Sequence, residues 1–462
     1  ITCRDWSSDV CSSDLFPLLF TLLLVAAIQC AAQSYFNKRI DYQHAYLEEA
    51  AHSILPIDSG YITVGFSLNQ QNTEIPVIAI QMMTNEGIAT KTLLIGDTSK
   101  LYFSAIGALF KTIDGNYAFA GGTRQFGDTI KDCALIIKFD GNLDTLWMKS
   151  YGNKDNVNDT AMAGRGLCQT SSGNYMLTGD QYSGGDYNEL YLQKTDAEGN
   201  QLWRKTYWFG GLGSSLNVIA TTDGGYALGG YRYFPGPKVK VDPLVVKTDS
   251  LGNLEWYADI GSEYDDDLAC VALAQDGNIL AATIKTDSVI PHSVAYKRFH
   301  MVKFLNNGQQ LWGRSYGTAC DFRYINKFRC LSDGRLIATG TVIDYYAHWV
   351  GWIWLFTPDG DSLWYREYEL LGGAESMNYL YDVNEAPDGG FVACGVLYPF
   401  APDTGNMDAW VLKVDSLGCE GPDDCWVGIH PPAPPSTVAA AGKLSLQPNP
   451  ATTETLVSWQ GE

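Results

Sequence analysis

The chain has 462 residues, 46% hydrophobic and 18% charged, with a formal net charge of −21 at pH 7. This balance excludes a disordered chain, and the acidity excludes nucleic acid and anionic lipid surfaces as natural partners. Aromatics make up 13%, with 27 Tyr and 13 Trp beside 47 Gly, which points to an all-β protein with many tight turns.

From the N-terminus, "RDWSSDVCSSDL" (Arg4 to Leu15) resembles a translated sequencing adapter, so residues 1–15 are read as foreign to the protein. The apolar run Phe16 to Ile28 is short for a membrane span but suits the core of a signal peptide over residues 16–32. The small residues Cys30 and Ala32 mark a cleavage site, which leaves Gln33 as the mature start and no transmembrane segment in the mature chain. Lipidation at Cys30 is the weaker reading, because Gln29 stands where a small residue is wanted.

Seven related stretches follow: "DSGYITVG" from Asp58, "DGNYAFAG" from Asp114, "SGNYMLTG" from Ser172, "DGGYALGG" from Asp223, "DGNILAAT" from Asp276, "DGRLIATG" from Asp333 and "DGGFVACG" from Asp388. Their starts lie 56, 58, 51, 53, 57 and 55 residues apart. A second signature ends at Trp147, Trp203, Trp256, Trp312 and Trp364. In the first four copies a lysine (Lys138, Lys194, Lys247, Lys303) stands nine residues before the tryptophan, and in the fifth Leu355 takes its place. The last copy keeps Lys413 and leads into "CEGPDDCW".

Asp-Gly and Gly-Asn pairs favour hairpin turns, and the runs after them are strands. In the fourth copy "YALGG", "PLVVKTD", "LEWYADIG" and "LACVALA" read as four strands, a small antiparallel sheet with two apolar faces. One such sheet cannot cover both faces, whereas seven stacked radially can. The expectation is a seven-bladed β-propeller of four-stranded antiparallel blades over residues 33–429. "YALGG" and its equivalents are expected innermost, because small residues suit a crowded axis, and each tryptophan is expected to wedge between blades. An N-terminal strand, "AAHSILP" (Ala50 to Pro56), is expected to complete blade seven.

The combination "TDGGYALGG…LVVKTDSLGNLEW" resembles secreted β-propeller proteins of Gram-negative bacteria that use the type IX secretion route, over Asp58 to Trp426. Residues 430–443 read as a Pro/Ala-rich linker, and "LSLQPNPATTETLVSW" (Leu444 to Trp459) resembles the start of the type A sorting domain of that route. The resemblance implies a truncated Ig-like β-sandwich over residues 444–462, recognition by the type IX machinery, and a protein carried across the outer membrane to the cell surface or medium.

Of the cysteines, Cys419 and Cys425 close a short loop and are the best disulfide candidates, with Cys320 and Cys330 a weaker pair. Cys133, Cys168, Cys270 and Cys394 read as small buried residues. The six histidines form neither HExxH nor a cluster, and neither GxSxG nor GxxxxGK occurs, so no catalytic, cofactor or metal residue is assigned. Acidic loops at Gly152 to Ala161 and Gly261 to Ala269 leave calcium as a minor expectation. The leading function is a non-enzymatic exported module that binds a protein or glycan through one rim. The alternatives are a carbohydrate-active hydrolase or lyase and a structural surface-layer component. Two segments stand out as rim candidates, Tyr231 to Pro243 and Asp344 to Trp354.

Overall fold

The computed structural model describes residues 34–43, 48–70, 72–125, 131–152, 162–182, 188–234, 240–289, 295–320, 322–343, 348–371, 376–400, 407–421, 443–446 and 457–460. The chain divides into two compact units, Ile1–Asp424 and Cys425–Glu462. In the second unit Lys443–Leu446 pairs antiparallel with Val457–Gln460. The "PNPA" turn, Pro448 to Ala451, lies outside the described residues.

The first unit is built entirely of strands among its described residues. Among the described residues seven sets of strands follow one another, each antiparallel within itself, and blades six and seven are joined by one parallel bridge, Trp349 to Met377. Blade one comprises Glu49–Ile57, Gly60–Asn69, Asn72–Met83 and Ala89–Ile95. Blade two has a split first strand, Lys100–Ser104 with Phe110–Lys111, then Tyr117–Gln125, Lys131–Phe139 and Thr145–Tyr151. Blades three and four run Met162–Gln169, Tyr175–Tyr182, Asn188–Thr195, Gln201–Tyr207, then Leu212–Ala220, Tyr226–Phe234, Lys240–Thr248, Leu254–Asp259. Blades five and six run Cys270–Leu273, Ile279–Val289, Ala295–Phe304, Gln310–Cys320, then Phe322–Cys330, Leu336–Ile343, Trp349–Phe356, Ser362–Tyr368. Blade seven takes Ser376–Glu385, Phe391–Pro399 and Asp408–Val414 from the C-terminal side, and Phe36–Ile40 as its outer strand. The first strand of each blade packs on the blade before it, and that of blade one packs on blade seven, so the ring is cyclic. The fold is a β-propeller.

The expected phase is off by one strand. "YALGG" is the second strand of its blade, not the innermost, and "CVAL" opens the next blade instead of closing this one. Ala50 to Pro56 accordingly lies in the first strand of blade one, and the strand that closes the ring is Phe36–Ile40, paired with Asp408–Val414.

The glycine that ends the motif has a different cause from the one expected. The first strands of blades one, three, four, six and seven each carry a bulge at the same register, between Ala51 and Ser53, Gly164 and Gly166, Ser215 and Asn217, Ile325 and Lys327, and Leu380 and Asp382. The bulge pushes a carbonyl onto the second strand. A Cβ at Gly65, Gly179, Gly230, Gly340 or Gly395 would collide with the carbonyl oxygen of Ala50, Ala163, Ser214, Tyr324 or Tyr379 respectively. Blade five has Thr283 at this position, and there the ladder between first and second strands stops at Cys270–Ala282.

The motif lysines are tied to the motif aspartates. Lys138, Lys247, Lys303 and Lys413 pair with Asp114, Asp223, Asp276 and Asp388, the first residue of the turn in the same blade, at 2.5–2.9 Å. Burial works to raise the Asp114 carboxyl, but the bonds from Lys138 and Thr112 outweigh it and hold the group below its usual range. Where Leu355 replaces the lysine, Asp333 turns to Arg335 at 2.5 Å.

Closure is reinforced behind the Phe36–Ile40 strand. The Trp410 indole Nε1 donates to Asn37 Oδ1 at 2.6 Å, and the buried Glu49 carboxylate accepts from Tyr42 N at 2.8 Å and Ser67 Oγ at 2.7 Å. Burial pushes the Glu49 carboxyl up to about 7. Between its ordinary value and about pH 7 the folded state therefore holds a proton that the unfolded chain has lost, so stability falls as pH rises through that window. Glu49→Gln should flatten this slope in urea unfolding followed from pH 4 to pH 8, and an unchanged slope contradicts the assignment. Gly395→Ala should cost about 3 kcal/mol or more by forcing the strands apart. Gly389→Ala, in open space with φ of 79°, should cost only about 1–2 kcal/mol, and denaturant midpoints report the difference.

Candidate functional site

The five signature tryptophans lie half-buried on the outer strands of blades two to six. Each faces a turn residue of the following blade. Trp147, Trp203, Trp256, Trp312 and Trp364 would lie 2.7–3.0 Å from a Cβ on Gly199, Gly252, Gly308, Gly360 and Gly418. Those glycines have φ between 77° and 88°, so a side chain there would be both strained and obstructed. Four residues after the tryptophan, the hydroxyls of Tyr151, Tyr207 and Tyr368 donate to the carbonyls of Gly199, Gly252 and Gly418 at 2.7–2.8 Å.

Two junctions depart from this pattern. At the closure Phe36 takes the tryptophan's place, 3.1 Å from a Cβ on Gly87 and edge-on to Tyr61 at 5.8 Å. Between blades one and two Lys91 stands in the tryptophan register, opposite Met82 as Trp147 is opposite Lys138. The facing turn residue there is Leu143, with φ of 62° the single non-glycine in that region among the described residues. Its side chain is buried with Tyr117 and Phe139, at the turn position where the other junctions carry a glycine.

Cys419 is buried, with Sγ 3.5 Å from Arg366 Nη2, and Cys425 lies outside the described residues. The Cys320 side chain also lies outside them, whereas Cys330 Sγ points to the carbonyls of Leu331 and Gly334.

The first strands surround an axial cavity of about 580 Å³, lined from blades two to seven by segments around Gly107, Leu167, Leu216, Ala272, Lys327 and Asn384. Its charged groups are largely engaged. Arg329 pairs with the buried Asp382 at 2.7 Å, Glu385 with Arg335 at 3.0 Å, and Lys327 Nζ donates to Gly107 O at 2.6 Å. Burial, with help from Arg329, brings the Lys327 amine down to about 8. Inner-strand polar side chains also bridge blade to blade. Asn217 Nδ2 donates to Val271 O and its Oδ1 accepts from Val271 N, Asp267 accepts from Ile325 N, and Asp382 accepts from Ile54 N. These bonds satisfy edge groups that have no partner strand.

The acidic stretch Gly261 to Ala269 is occupied in the same way. Asp265 accepts from Val241 N, Asp266 from Ser262 Oγ and Thr286 N, and Asp267 from Leu268 N. No group of three His, Cys, Asp or Glu side chains is gathered as metal ligands among the described residues. Residues 153–161 of the other acidic loop lie outside them.

Over the inner strands of blades six, seven and one runs a row of aromatic rings that sequence reasoning missed. Tyr324 lies parallel to Trp349 at 6.3 Å, and Trp349 meets Tyr379 at 5.1 Å. Tyr379 meets Tyr381 at 6.3 Å and Tyr398 at 5.7 Å. Tyr381 reaches His52 at 5.6 Å, and His52 reaches Phe66 at 5.6 Å. Tyr324 and Tyr398 are exposed and the others half-buried. Burial brings the His52 imidazole down to about 4, so it is neutral at pH 7. Of the two rim candidates, Asp344 to Trp354 contributes Trp349, while Trp352 and Trp354 are buried core. Tyr231 to Pro243 forms a blade hairpin from its described residues, braced by Arg232 on Asp259 at 2.6 Å.

No known protein family and no curated protein matches the chain in sequence. Solved structures are similar in fold. A protein of unknown function from Dyadobacter fermentans is similar at 7% identity over 69% of this chain and 98% of its own, with a TM-score of 0.45. The phage phi92 endosialidase is similar at 9% identity over 93% and 75%, with a TM-score of 0.44. The β-propeller domain of the trilobed protease from Pyrococcus furiosus is similar at 11% identity over 79% and 95%, with a TM-score of 0.42.

The Lys91/Leu143 junction gives a direct test of the indole-on-turn contact. Lys91→Trp alone should destabilise by about 1–3 kcal/mol, because Leu143 stands where the other junctions carry a glycine. Adding Leu143→Gly should recover most of that loss, a coupling that a double-mutant cycle in urea measures.

Proposed function

We propose that the protein is an exported, non-enzymatic seven-bladed propeller that binds a protein or glycan on the face bearing the aromatic row. The observation that carries this reading is the row itself. At the register of Tyr379 and Tyr324 the inner strands of blades one, three and four hold Ala50, Ala163 and Ser214, so the repeat does not require rings there. Half-exposed rings that the fold does not need are the usual anchors of recognition. The engaged state of Arg329, Asp382, Glu385 and Asp267 favours binding over catalysis, since no free acid and base face each other across the axial cavity among the described residues.

Delivery by type IX secretion rests on the resemblance of Leu444 to Trp459 to the sorting domain of that route, with the signal peptide over residues 16–32 providing the first step. Cys419 carries a free thiol in the structure, and its pairing with Cys425 is part of the same reading, because an oxidising compartment would form that bond.

The test is a glycan-array and pull-down screen with the full chain, repeated with Trp349→Ala. Capture of one ligand class that falls about tenfold or more in the variant supports the reading. Turnover of a polysaccharide by the same preparation, or capture that Trp349→Ala leaves untouched, overturns it.

A further inference from the structure

Within the reading of this face as a binding surface, we infer that the aromatic row is a subsite for a neutral, linear polysaccharide, laid across blades six, seven and one. Three features of the row select this chemistry.

The first is spacing. Tyr324, Trp349, Tyr379, Tyr381, His52 and Phe66 succeed one another at centroid steps of 5.1 to 6.3 Å. This is a track, not a closed pocket. A chain of pyranose rings presents flat C–H faces at a comparable repeat, and such faces stack on aromatic π-systems.

The second feature is the state of the hydroxyls. Several structural tyrosines in this fold have theirs tied down, Tyr151, Tyr207 and Tyr368 donating to turn carbonyls and Tyr191 to Ala163 O, whereas the buried hydroxyls of Tyr175 and Tyr316 have no hydrogen-bond partner. In the row, the Tyr379 hydroxyl bonds to Met377 Sδ at 3.7 Å, and Tyr324 and Tyr398 are exposed at the surface. Exposed tyrosines can stack on a sugar and hydrogen-bond its neighbours, a capacity that a purely apolar partner would leave unused.

The third feature is charge. His52 is neutral at pH 7 and the phenols of Tyr379 and Tyr381 are pushed up by burial, so the track carries no titrating group near neutrality. Carboxylates stand nearby, Asp265 and Asp267 toward Tyr324 and Glu48 toward Tyr398. Together with a net charge of −21 they repel uronate polymers.

Affinity electrophoresis of the full chain in gels containing a β-glucan, a xylan, a mannan, a starch, an alginate or a polygalacturonate tests the inference. At least one neutral polymer should retard the protein and the two acidic ones should not. Retardation should change by no more than about twofold from about 0.05 to about 0.5 M salt. It should fall about tenfold or more in Trp349→Ala and in the more exposed Tyr398→Ala, with thermal melting showing that each variant is folded. Tyr379→Phe should give a smaller loss, which isolates the hydroxyl. Retardation by no neutral polymer, or retardation insensitive to both alanine variants, overturns the inference. Capture of a protein partner that depends on Trp349, without polysaccharide retardation, sinks the glycan assignment alone and leaves the binding function of the face standing.

Discussion

Five of the seven blade junctions are a flat indole lying on a turn residue of the next blade that has no side chain. A four-stranded sheet cannot cover its own two faces, and this contact seals the outer edge of the buried cores that form between neighbouring blades. A half-buried tryptophan contributes about 2–4 kcal/mol at such a site. The requirement reaches into the backbone, since the covered residue must adopt a positive φ as well as lack a Cβ. That is why the Trp and the Gly recur together, and why Tyr151, Tyr207 and Tyr368 return to the carbonyls of those same glycines. The exceptions obey the same rule. Lys91 and Leu143 exchange bulk across their junction, and Phe36 supplies from the N-terminal strand the ring that blade seven would otherwise lack.

The repeat length, the strand count per repeat and closure by an N-terminal strand were all legible from spacing and turn residues. The phase was not. A periodic pattern fixes where each motif returns but says nothing about which strand edge faces the axis. "YALGG" is small because a bulged carbonyl of the preceding strand presses on it, not because seven copies crowd the centre. Thr283 was the available clue: the one blade that breaks the motif is the one whose first strand is cut short. The closing strand was misplaced for a related reason. Once Ala50 to Pro56 belongs to blade one, only Phe36–Ile40 remains to finish blade seven.

The aromatic row was hidden for a different reason. Its members lie at residues 52, 66, 324, 349, 379, 381 and 398, at both ends of the chain, and only closure brings His52 beside Tyr381. Each is unremarkable alone in a chain with 27 Tyr and 13 Trp. The usable signal was departure from the repeat, a ring where other copies carry alanine or serine. The acidic loop shows the opposite case, a cluster that stands out in the sequence and serves the fold. Asp265, Asp266 and Asp267 look like ligands in a sequence, yet their carboxylates are spent on the N–H and hydroxyl groups that hold blades four, five and six together.

The pairing of Asn37 with Trp410 spans 373 positions of the chain. The strand made first therefore finds its neighbours last, and six blades and part of a seventh must wait with an open seam. Such long-range pairing slows folding and leaves greasy surface uncovered for longer. The docking of five residues, Phe36 to Ile40, is then the step that covers the open edge of Asp408–Val414 and joins the two ends of the ring.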